Sequence, residues 1–396
     1  MDARTIRRPA ARLAAFLAAV WLSACTVVDG PTAGFGGDSG PRIDPSAPVP
    51  VALLVPAGSS IGGDAQIARD LENAARLAIS DLQGADIDLR VYNTAASPGQ
   101  AAQVAQQAVA DGAQIILGPL RADAAAAASS AVVAQNVNVL AFTNTTSVAG
   151  GNLFILGPTF ENTARRLVRF GNSQGIDRYL VVYGNDPQGT TGRDAIAREA
   201  QRNGATVLGM ESYPMTSQQA IMEAAPRIAA AAEQSGAEAV FLTGGVNADL
   251  PIIASALPEA GLDTSSTPYF GLTRWDALSQ AISLPGLQGG YFARPNQAAM
   301  QSFESRFAAR YGDAPHPLAG LAYDGIAAIG ALVAQGNSDA LTASSLTQSA
   351  GFTGTSGIFR LRPDGTNERA LAVARIQNNQ VTVVDPAPNS FGRAGF

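Results

Sequence analysis

The stretch VALLVPAGSSIGGDAQIARDLENAARLAISDL, residues 51 to 82, determines the predicted fold class. It begins with a short apolar run that Pro56 ends, as is typical of a strand buried on both faces. Gly58 to Gly63 supply the small residues of a turn, and Asp64 can cap a helix. The apolar residues that share one face of this helix are Ile67, Leu71, Ala74, Ala75, Ala78 and Leu82. The stretch therefore predicts one strand-turn-helix unit.

The same alternation continues along the chain, and repetition of this unit predicts parallel sheets covered by helices on both faces. The further strands predicted for a first sheet are 88–92, 114–117 and 138–142, with helices at 98–111 and 122–135, and the alternation restarts after 153–156. The strands predicted for a second sheet are 178–183, 205–211, 238–243 and 268–272, with helices at 162–174, 191–203, 218–235 and 248–260. Two more helices are predicted at 297–311 and 321–336, and short antiparallel strands at 358–362, 370–376 and 381–384.

Length and composition limit the classes of function. The roughly 340 residues beyond Pro50 exceed one typical core and suggest two domains. The net charge of −6 argues against a nucleic-acid partner. The lone His316 lies between two prolines, and no motif has metal-ligand spacing, so we expect a protein that is not an enzyme and that carries no metal or cofactor.

The N-terminus has the layout of a secretory signal. Four arginines, at positions 4, 7, 8 and 12, precede an apolar segment from Leu13 to Leu22 that is too short for a permanent membrane span. The only cysteine, Cys25, ends the string Leu22-Ser23-Ala24-Cys25, which resembles the lipobox of bacterial lipoproteins. That resemblance implies a signal peptide at 1–24, an acylated Cys25 and, since threonine follows it, anchoring at the periplasmic face of the outer membrane. An ordinary cleaved signal with an incidental cysteine, or a transmembrane anchor, remains the alternative.

Residues 25–50 are expected to form a disordered tether. The segment is rich in Gly, Pro, Ser and Asp and has almost no apolar content, so it does not repay its ordering entropy. At the other end, residues 387–396 are expected to be a tail.

Polar residues follow the predicted strands at their carboxyl ends, which is where open parallel sheets bind ligands. The ligand-cleft candidates in the first half are Ser59, Ser60, Leu120, Arg121, Thr143, Asn144 and Thr145. Those in the second half are Asn185, Asp186, Gly245, Asn247, Trp275 and Asp276. Small hydroxyls, backbone amides and one indole suit a polar small molecule, although Gly, Asn and Thr are also ordinary turn residues.

Several strings occur in an order that resembles the type I periplasmic binding proteins of the leucine/isoleucine/valine-binding kind, over essentially all of Val51 to Pro386. They are VALLVP at 51–56, GAQIILGPL at 112–120, LAFTN at 140–144, LAYDG at 321–325 and FTGTSGIFRLRPDG at 352–365. The resemblance implies an α/β fold of two doubly wound parallel-sheet lobes joined by three crossings, which open and close on a cleft.

Carried onto this chain, the resemblance implies that lobe 1 comprises residues 51–157 plus 294–350 and lobe 2 comprises 158–293 plus 355–386. The crossings then fall near 157–161, 293–297 and 351–357.

Within that superfamily the strings GPL at 118–120, VAG at 148–150 and LFILGP at 153–158 look most like the penicillin-binding-protein activators. This resemblance implies a lipoprotein that stimulates a bifunctional penicillin-binding protein, a peptidoglycan synthase, by protein contact. The alternative is a receptor that delivers a small polar or amino-acid-like solute to an ABC importer.

Amino-acid receptors of this superfamily hold the ligand carboxylate on lobe 1 and its ammonium on an acidic residue and aromatics of lobe 2. The loops of lobe 1 partly match this pattern of ligand-holding residues, but the loops of lobe 2 do not. Gln188-Gly189 and Val246-Asn247 replace aromatic residues, and only Asp276 offers a carboxylate for the ammonium. Burying an ammonium without such a partner is costly, so a complete amino-acid cage is not expected from these residues.

Overall fold

The computed structural model describes residues 39–392. The predicted signal peptide, the lipidation of Cys25 and the first part of the tether lie outside the described residues, as do the last four residues of the tail.

The first lobe is built on a five-stranded, all-parallel sheet with the strand order β2-β1-β3-β4-β5. Its strands are β1 (Val49–Val55), β2 (Ile87–Asn93), β3 (Ile115–Leu117), β4 (Asn138–Ala141) and β5 (Leu153–Ile155). Alternate residues of β1 enter different cores, since Val51 and Leu53 pack on one face of the sheet and Ala52 and Leu54 on the other. Both faces are therefore buried, as the continuous apolar runs predict.

The second lobe is built on a seven-stranded sheet with the order β15-β14-β10-β9-β8-β6-β7, in which β14 and β15 are antiparallel to their neighbours. Its parallel strands are β6 (Arg178–Gly184), β7 (Thr206–Tyr213), β8 (Ala239–Leu242), β9 (Tyr269–Gly271) and β10 (Tyr291–Arg294). Its antiparallel strands are β14 (Ala372–Gln377) and β15 (Gln380–Asp385). Leu180 and Val182 pack on one face of this sheet and Tyr179 and Val181 on the other.

A small antiparallel sheet of β11 (Phe352–Gly354), β12 (Gly357–Leu361) and β13 (Asn367–Arg369) connects the two lobes. The side chains of Phe352, Phe359 and Leu361 are buried in the core of the first lobe. Residues from 355 onward are predicted to belong to lobe 2, but these three apolar side chains hold β11 and β12 against lobe 1. The third passage of the chain between the lobes accordingly lies after Leu361, not at 351–357.

Helices cover both faces of each large sheet, and most start where the sequence predicts. They are α1 (Asp64–Asp81), α2 (Pro98–Ala110), α3 (Ala122–Val132), α4 (Phe160–Ser173), α5 (Pro187–Arg202), α6 (Gln218–Ser235), α7 (Leu250–Glu259), α8 (Ser279–Ile282), α9 (Gln297–Tyr311), α10 (Gly320–Val333) and α11 (Ala343–Leu346). Helix α5 begins four residues before its predicted start at 191. The reason is that Asp186 caps it, with Oδ1 accepting from Gly189 N at 2.7 Å, and Pro187 occupies its first turn.

Residues 39–50 pack against the first lobe and do not belong to a disordered tether, which corrects the expectation for this part of 25–50. Ile43 is buried in the core and its N–H donates to Ser338 O at 2.8 Å. The Asn136 side chain forms two 2.9 Å hydrogen bonds with the backbone of Gly40, one as acceptor and one as donor. One apolar anchor and satisfied backbone groups are thus enough to order a segment whose composition indicates disorder.

None of the helices within residues 39–392 combines the length and apolar character needed to cross a membrane.

Candidate ligand-binding cleft

Lobe 1 carries a cavity of about 550 Å³ at the carboxyl ends of its parallel strands. Of the ligand-cleft candidates, the structure brings five together around it, namely Leu120, Arg121, Thr143, Asn144 and Thr145. Residues around this cavity that the sequence analysis did not single out are Asp64, Ile67, Ala122, Phe142, Gly157, Pro158, Leu318 and Leu321. The cavity lies where doubly wound sheets hold their ligands.

The loop that carries Leu120 and Arg121 is positioned by a close approach of two backbones. Gly118 has a φ of +90°, and a Cβ at this residue would lie 2.3 Å from Leu54 O. Gly118 N donates to Leu140 O at 2.8 Å, and Pro119 O accepts from Phe142 N at 2.9 Å. These contacts tie the loop after β3 to strands β1 and β4, so the cavity wall is part of the sheet edge.

Arg121 is held at the cavity wall by a buried carboxylate. Its Nη2 lies 2.8 Å from both Oδ1 and Oδ2 of Asp64, whose side chain is 3% exposed. Arg121 Nε is buried and meets no hydrogen-bond acceptor among residues 39–392. Leaving this buried N–H without an acceptor is costly.

The electrostatic setting favours an anionic group. The first residues of α1, α3 and α10 border the cavity through Asp64, Ala122 and Leu321, and helix N-termini carry partial positive charge. Because the charges of Asp64 and Arg121 neutralise each other, the electrostatic potential that remains is the positive potential of the helix N-termini. This arrangement suits a carboxylate.

The polar loop after β4 contributes the remaining lobe 1 groups. Thr143 is buried, its Oγ1 accepts from Thr145 N at 3.1 Å, and its carbonyl accepts from Gly157 N at 3.1 Å. A Cβ on Gly157 would lie 2.6 Å from that carbonyl, so glycine is needed for this contact. Asn144 and Thr145 are exposed and free to face a ligand. Ser59 and Ser60 lie outside the cavity lining, and Ser59 Oγ accepts from Ile61 N at 3.0 Å within its own turn.

The lobe 2 candidates do not line this cavity. Asn185 and Asn247 are exposed, Asp186 caps α5, and Gly245 N donates to Asp249 Oδ1 at 2.8 Å. These four residues are near the carboxyl ends of β6 and β8, on the turns where sequence reasoning places them.

Trp275 and Asp276 are placed differently from their predicted roles. Trp275 is 0% exposed, packs against Phe292 in the second core and lies against Gly271 and Gly290, which leave room for its ring. The indole therefore serves the core and is not offered to a ligand. Asp276 is occupied by two guanidinium groups, with Arg274 Nε at 3.1 Å and Arg294 Nη2 at 2.9 Å. A ligand ammonium would have to compete with both.

A buried polar network joins the lobes beside the cleft, and sequence reasoning missed it. Asp324 Oδ1 accepts from Thr355 N at 2.6 Å, and its Oδ2 pairs with Arg369 Nη1 at 2.9 Å. Asn367 Nδ2 donates to the carbonyls of Ile155 and Gly157 at 2.9 and 2.8 Å. The only signal was the polar string Asn367-Glu368-Arg369 between apolar strands, which resembles a surface turn.

The described part of the chain has no group of three or more His, Cys, Asp or Glu side chains arranged to hold a metal ion. The groups that converge on the cleft are hydroxyl, amide and guanidinium donors, which bind and orient a polar molecule. No nucleophile with an adjacent base is among them.

Comparisons with known proteins agree with this fold. A putative branched-chain amino acid ABC transporter protein from Rhodospirillum rubrum is 18% identical over 85% of this chain and 100% of its own, with a TM-score of 0.71. An ABC transporter substrate-binding protein from Sphaerobacter thermophilus is 20% identical over 87% of this chain and 98% of its own, with a TM-score of 0.63. An ABC transporter substrate-binding protein from Desulfitobacterium hafniense in complex with Leu is 18% identical over 85% of this chain and 100% of its own, with a TM-score of 0.58. No curated protein is significantly similar to the chain in sequence.

The profile of the family described as periplasmic binding protein matches residues 48–380, which is most of the chain. Proteins of this family bind ligands or act as scaffolds and are not enzymes. Together with the two parallel-sheet lobes, this match shows that the chain belongs to the periplasmic binding protein family.

Proposed function

We propose that the protein is a solute receptor that binds a small carboxylate-bearing molecule between its lobes and delivers it to an ABC importer. Family membership implies a periplasmic location. The similar structures named above are ABC transporter proteins, and one of them holds leucine. The proposal draws on these likenesses for the class of function and on the cavity for the class of ligand.

The observation that carries the ligand class is Arg121 at the lobe 1 cavity. Its buried Nε lacks an acceptor, and three helix N-termini surround the same space. A carboxylate oxygen satisfies the N–H and meets the positive ends of the helices. The lobe 2 carboxylate predicted to hold an ammonium, Asp276, is already paired with Arg274 and Arg294. We therefore infer that the binding affinity depends on the carboxylate of the ligand more than on an amino group.

A matched pair of ligands tests this inference. Leucine and 4-methyl-2-oxopentanoate share the carboxylate and the side chain but differ at the ammonium. We expect the oxo acid to bind at least as tightly as leucine in isothermal titration calorimetry. A strong preference for leucine, by tenfold or more, would contradict the absence of an ammonium site.

A cleft variant and a distant control test the location. Asn144→Ala removes an exposed amide at the cavity, and loss of one hydrogen bond of about 1 kcal/mol should weaken the best ligand roughly fivefold. Asn337→Ala, an exposed residue that does not line the cavity, should leave the affinity unchanged. Equal affinities for both variants would place the ligand elsewhere.

The second candidate function is that of a penicillin-binding-protein activator. The observation that favours it is the incomplete amino-acid cage, because Trp275 is buried in the core and Asp276 is paired with arginines. A scaffold that acts by protein contact needs no such cage. Binding of a bifunctional peptidoglycan synthase, with faster glycan synthesis on addition of the protein, would support this role. Absence of both effects would exclude it for the synthases tested.

Lipid anchoring at Cys25 is proposed for either role, and anchoring on the outer membrane is proposed for the activator role. Mass spectrometry of the protein from membranes should find an acylated N-terminal cysteine, and Cys25→Ala should release the protein into the soluble periplasmic fraction. An unmodified cysteine in the native protein would contradict the anchor.

A further inference from the structure

A second cavity, of about 230 Å³, lies between α4 and the end of the chain. Its walls come from α4, from the segment of Glu368 to Leu371, and from Asp385 at the end of β15 with residues 386–391 beyond it. None of the residues around it lines the lobe 1 cavity. It is therefore a separate space with its own chemistry.

Three arginines of α4 line this cavity, and they differ in their partners. Arg166 is neutralised by Asp385, with 2.7 Å between Nη2 and Oδ2, and Arg165 by Glu199, with 2.9 Å between Nε and Oε2. Arg169 has no carboxylate within 4 Å among residues 39–392, and its Nε donates to the neutral Asn203 Oδ1 at 2.6 Å. One positive charge at the cavity is thus left without a counter-charge.

Two guanidinium N–H groups at this cavity also lack acceptors. Arg165 Nη1 and Arg169 Nη1 are both buried without a hydrogen-bond partner among the described residues. The nearest carboxylate oxygen to Arg165 Nη1, Glu368 Oε1, is 3.6 Å away, beyond hydrogen-bond length. A buried donor without an acceptor is costly, and native proteins rarely leave one so. Arg165 and Arg169 lie one helical turn apart, so both donors can face one ligand.

Burial also lowers the pKa of Arg169, and the positive charge of Arg165 lowers it further, while the carboxylates of Glu368 and Glu199 act only partly in the opposite direction. A bound anion would offset both effects, whereas a water molecule would satisfy only the hydrogen bonds. The cavity therefore favours an anion over water at this position.

Part of the remaining wall is apolar, and Asn162, Ser173 and Glu368 supply polar groups elsewhere around the cavity. Phe170 and Leu371 are buried, and Pro388 and Phe391 close the space from the chain beyond β15. An inorganic anion such as phosphate would lie against these side chains without any polar partner there. A carboxylate attached to an apolar body matches both walls.

We propose that this cavity is a second binding site, for a small organic carboxylate whose acid group contacts the Nη1 atoms of Arg165 and Arg169 and whose apolar body packs on Phe170 and Leu371. The site is independent of the cleft ligand. Because residues 385–391 form one wall, its occupant also holds the chain after β15 in place.

Benzoate is a suitable probe, and benzamide is its neutral analogue of the same shape. We expect benzoate to bind the purified protein in calorimetry or ligand-observed NMR and benzamide not to bind. Arg169→Gln, which removes the unpaired charge and one donor, should weaken benzoate by at least about tenfold, because charge-assisted hydrogen bonds are the strong ones. Arg169→Lys keeps the positive charge but lacks the planar guanidinium with its paired N–H donors, so it should lose only part of the affinity for benzoate.

Arg178→Gln is the matched control, since Arg178 is an exposed arginine that pairs with Glu238 and does not line the cavity. It should leave benzoate binding unchanged. Equal affinity of Arg169→Gln and the unaltered protein, benzamide binding as tightly as benzoate, or binding of phosphate without benzoate would each overturn the proposal. If Arg169→Gln does not fold, Arg169→Lys and the benzoate-benzamide comparison on the unaltered protein decide.

Discussion

Gly118 illustrates how a single residue positions the cleft. Its left-handed backbone and its contact with Leu54 O allow the loop after β3 to turn against β1 and to present Arg121 to the cavity. The sequence predicts a turn here from Gly118-Pro119, but the close approach of a neighbouring strand's carbonyl depends on the sheet. Trp275 shows that a single residue can also be placed differently from its prediction. The sequence places its indole on a ligand loop, but the ring is buried in lobe 2, where Gly271 and Gly290 leave room for it.

At this scale we predict that Gly118→Ala is far more destabilising than Gly112→Ala. Both glycines have a similar φ, +90° and +97°, but a Cβ at Gly112 meets nothing within 4 Å, whereas one at Gly118 meets a backbone oxygen. The extra cost of overpacking should be about 1–3 kcal/mol in the free energy of unfolding, measured by urea denaturation. Similar midpoints for the two variants would show that the close approach does not exist in solution.

At the scale of elements, the apolar patterns predict the apolar strands and the long helices well, but not the polar strand β13. Strands such as β1 and β8 are buried on both faces and are visible as continuous apolar runs. Strand β13 consists of Asn367, Glu368 and Arg369, all buried, and no periodicity marks it as a strand. It is stable because polar partners from both lobes surround it.

Glu368 on β13 makes stability dependent on pH. Burial raises its pKa, but hydrogen bonds from Arg362 and Arg360 and the charge of Arg165 lower it by more, so the pKa lies below its ordinary value of 4.5. The folded state then binds protons less readily than the unfolded state. The stabilisation is present above about pH 4.5 and is lost as the pH falls through the lower folded-state pKa.

We therefore predict that the melting temperature falls as the pH decreases below about 4.5, and that Glu368→Gln makes this fall shallower. Differential scanning calorimetry over a pH series measures both slopes. Glu304→Gln, at an exposed glutamate of α9, is the control and should keep the slope of the unaltered protein. An unchanged slope in Glu368→Gln would exclude the carboxylate as a source of the pH dependence.

At the scale of the whole molecule, the two lobes are joined by buried charges as well as by the chain. Asp324 on α10 in the first lobe pairs with Arg369 on β13, whose Nε donates to Leu156 O at 3.2 Å in the first passage between the lobes. The neighbouring Glu368 lies 3.6 Å from Arg165 on α4 in the second lobe. Any opening or closing of the cleft therefore takes place around this network.

We predict that Asp324→Asn lowers the free energy of unfolding by about 3–5 kcal/mol, because it leaves the buried Arg369 without its counter-charge. The shift of the urea midpoint, with the slope as a check on two-state behaviour, measures this loss. Asp313→Asn, at an exposed aspartate, should change the midpoint little. A small effect in Asp324→Asn would show that the network does not bear on stability.

The α/β class, the two parallel sheets and the loops at their carboxyl ends could be predicted from the sequence, because burial on both faces and helical periodicity are local patterns within each segment. Which polar residues meet could not be predicted in this way and depends on the folded arrangement of distant segments. Asp64 lies 57 positions from Arg121, and Asp324 lies 45 from Arg369. Pairing across such separations depends on the packing of distant elements. The same packing buries Trp275, pairs Asp276 with two arginines and leaves the charge of Arg169 unpaired.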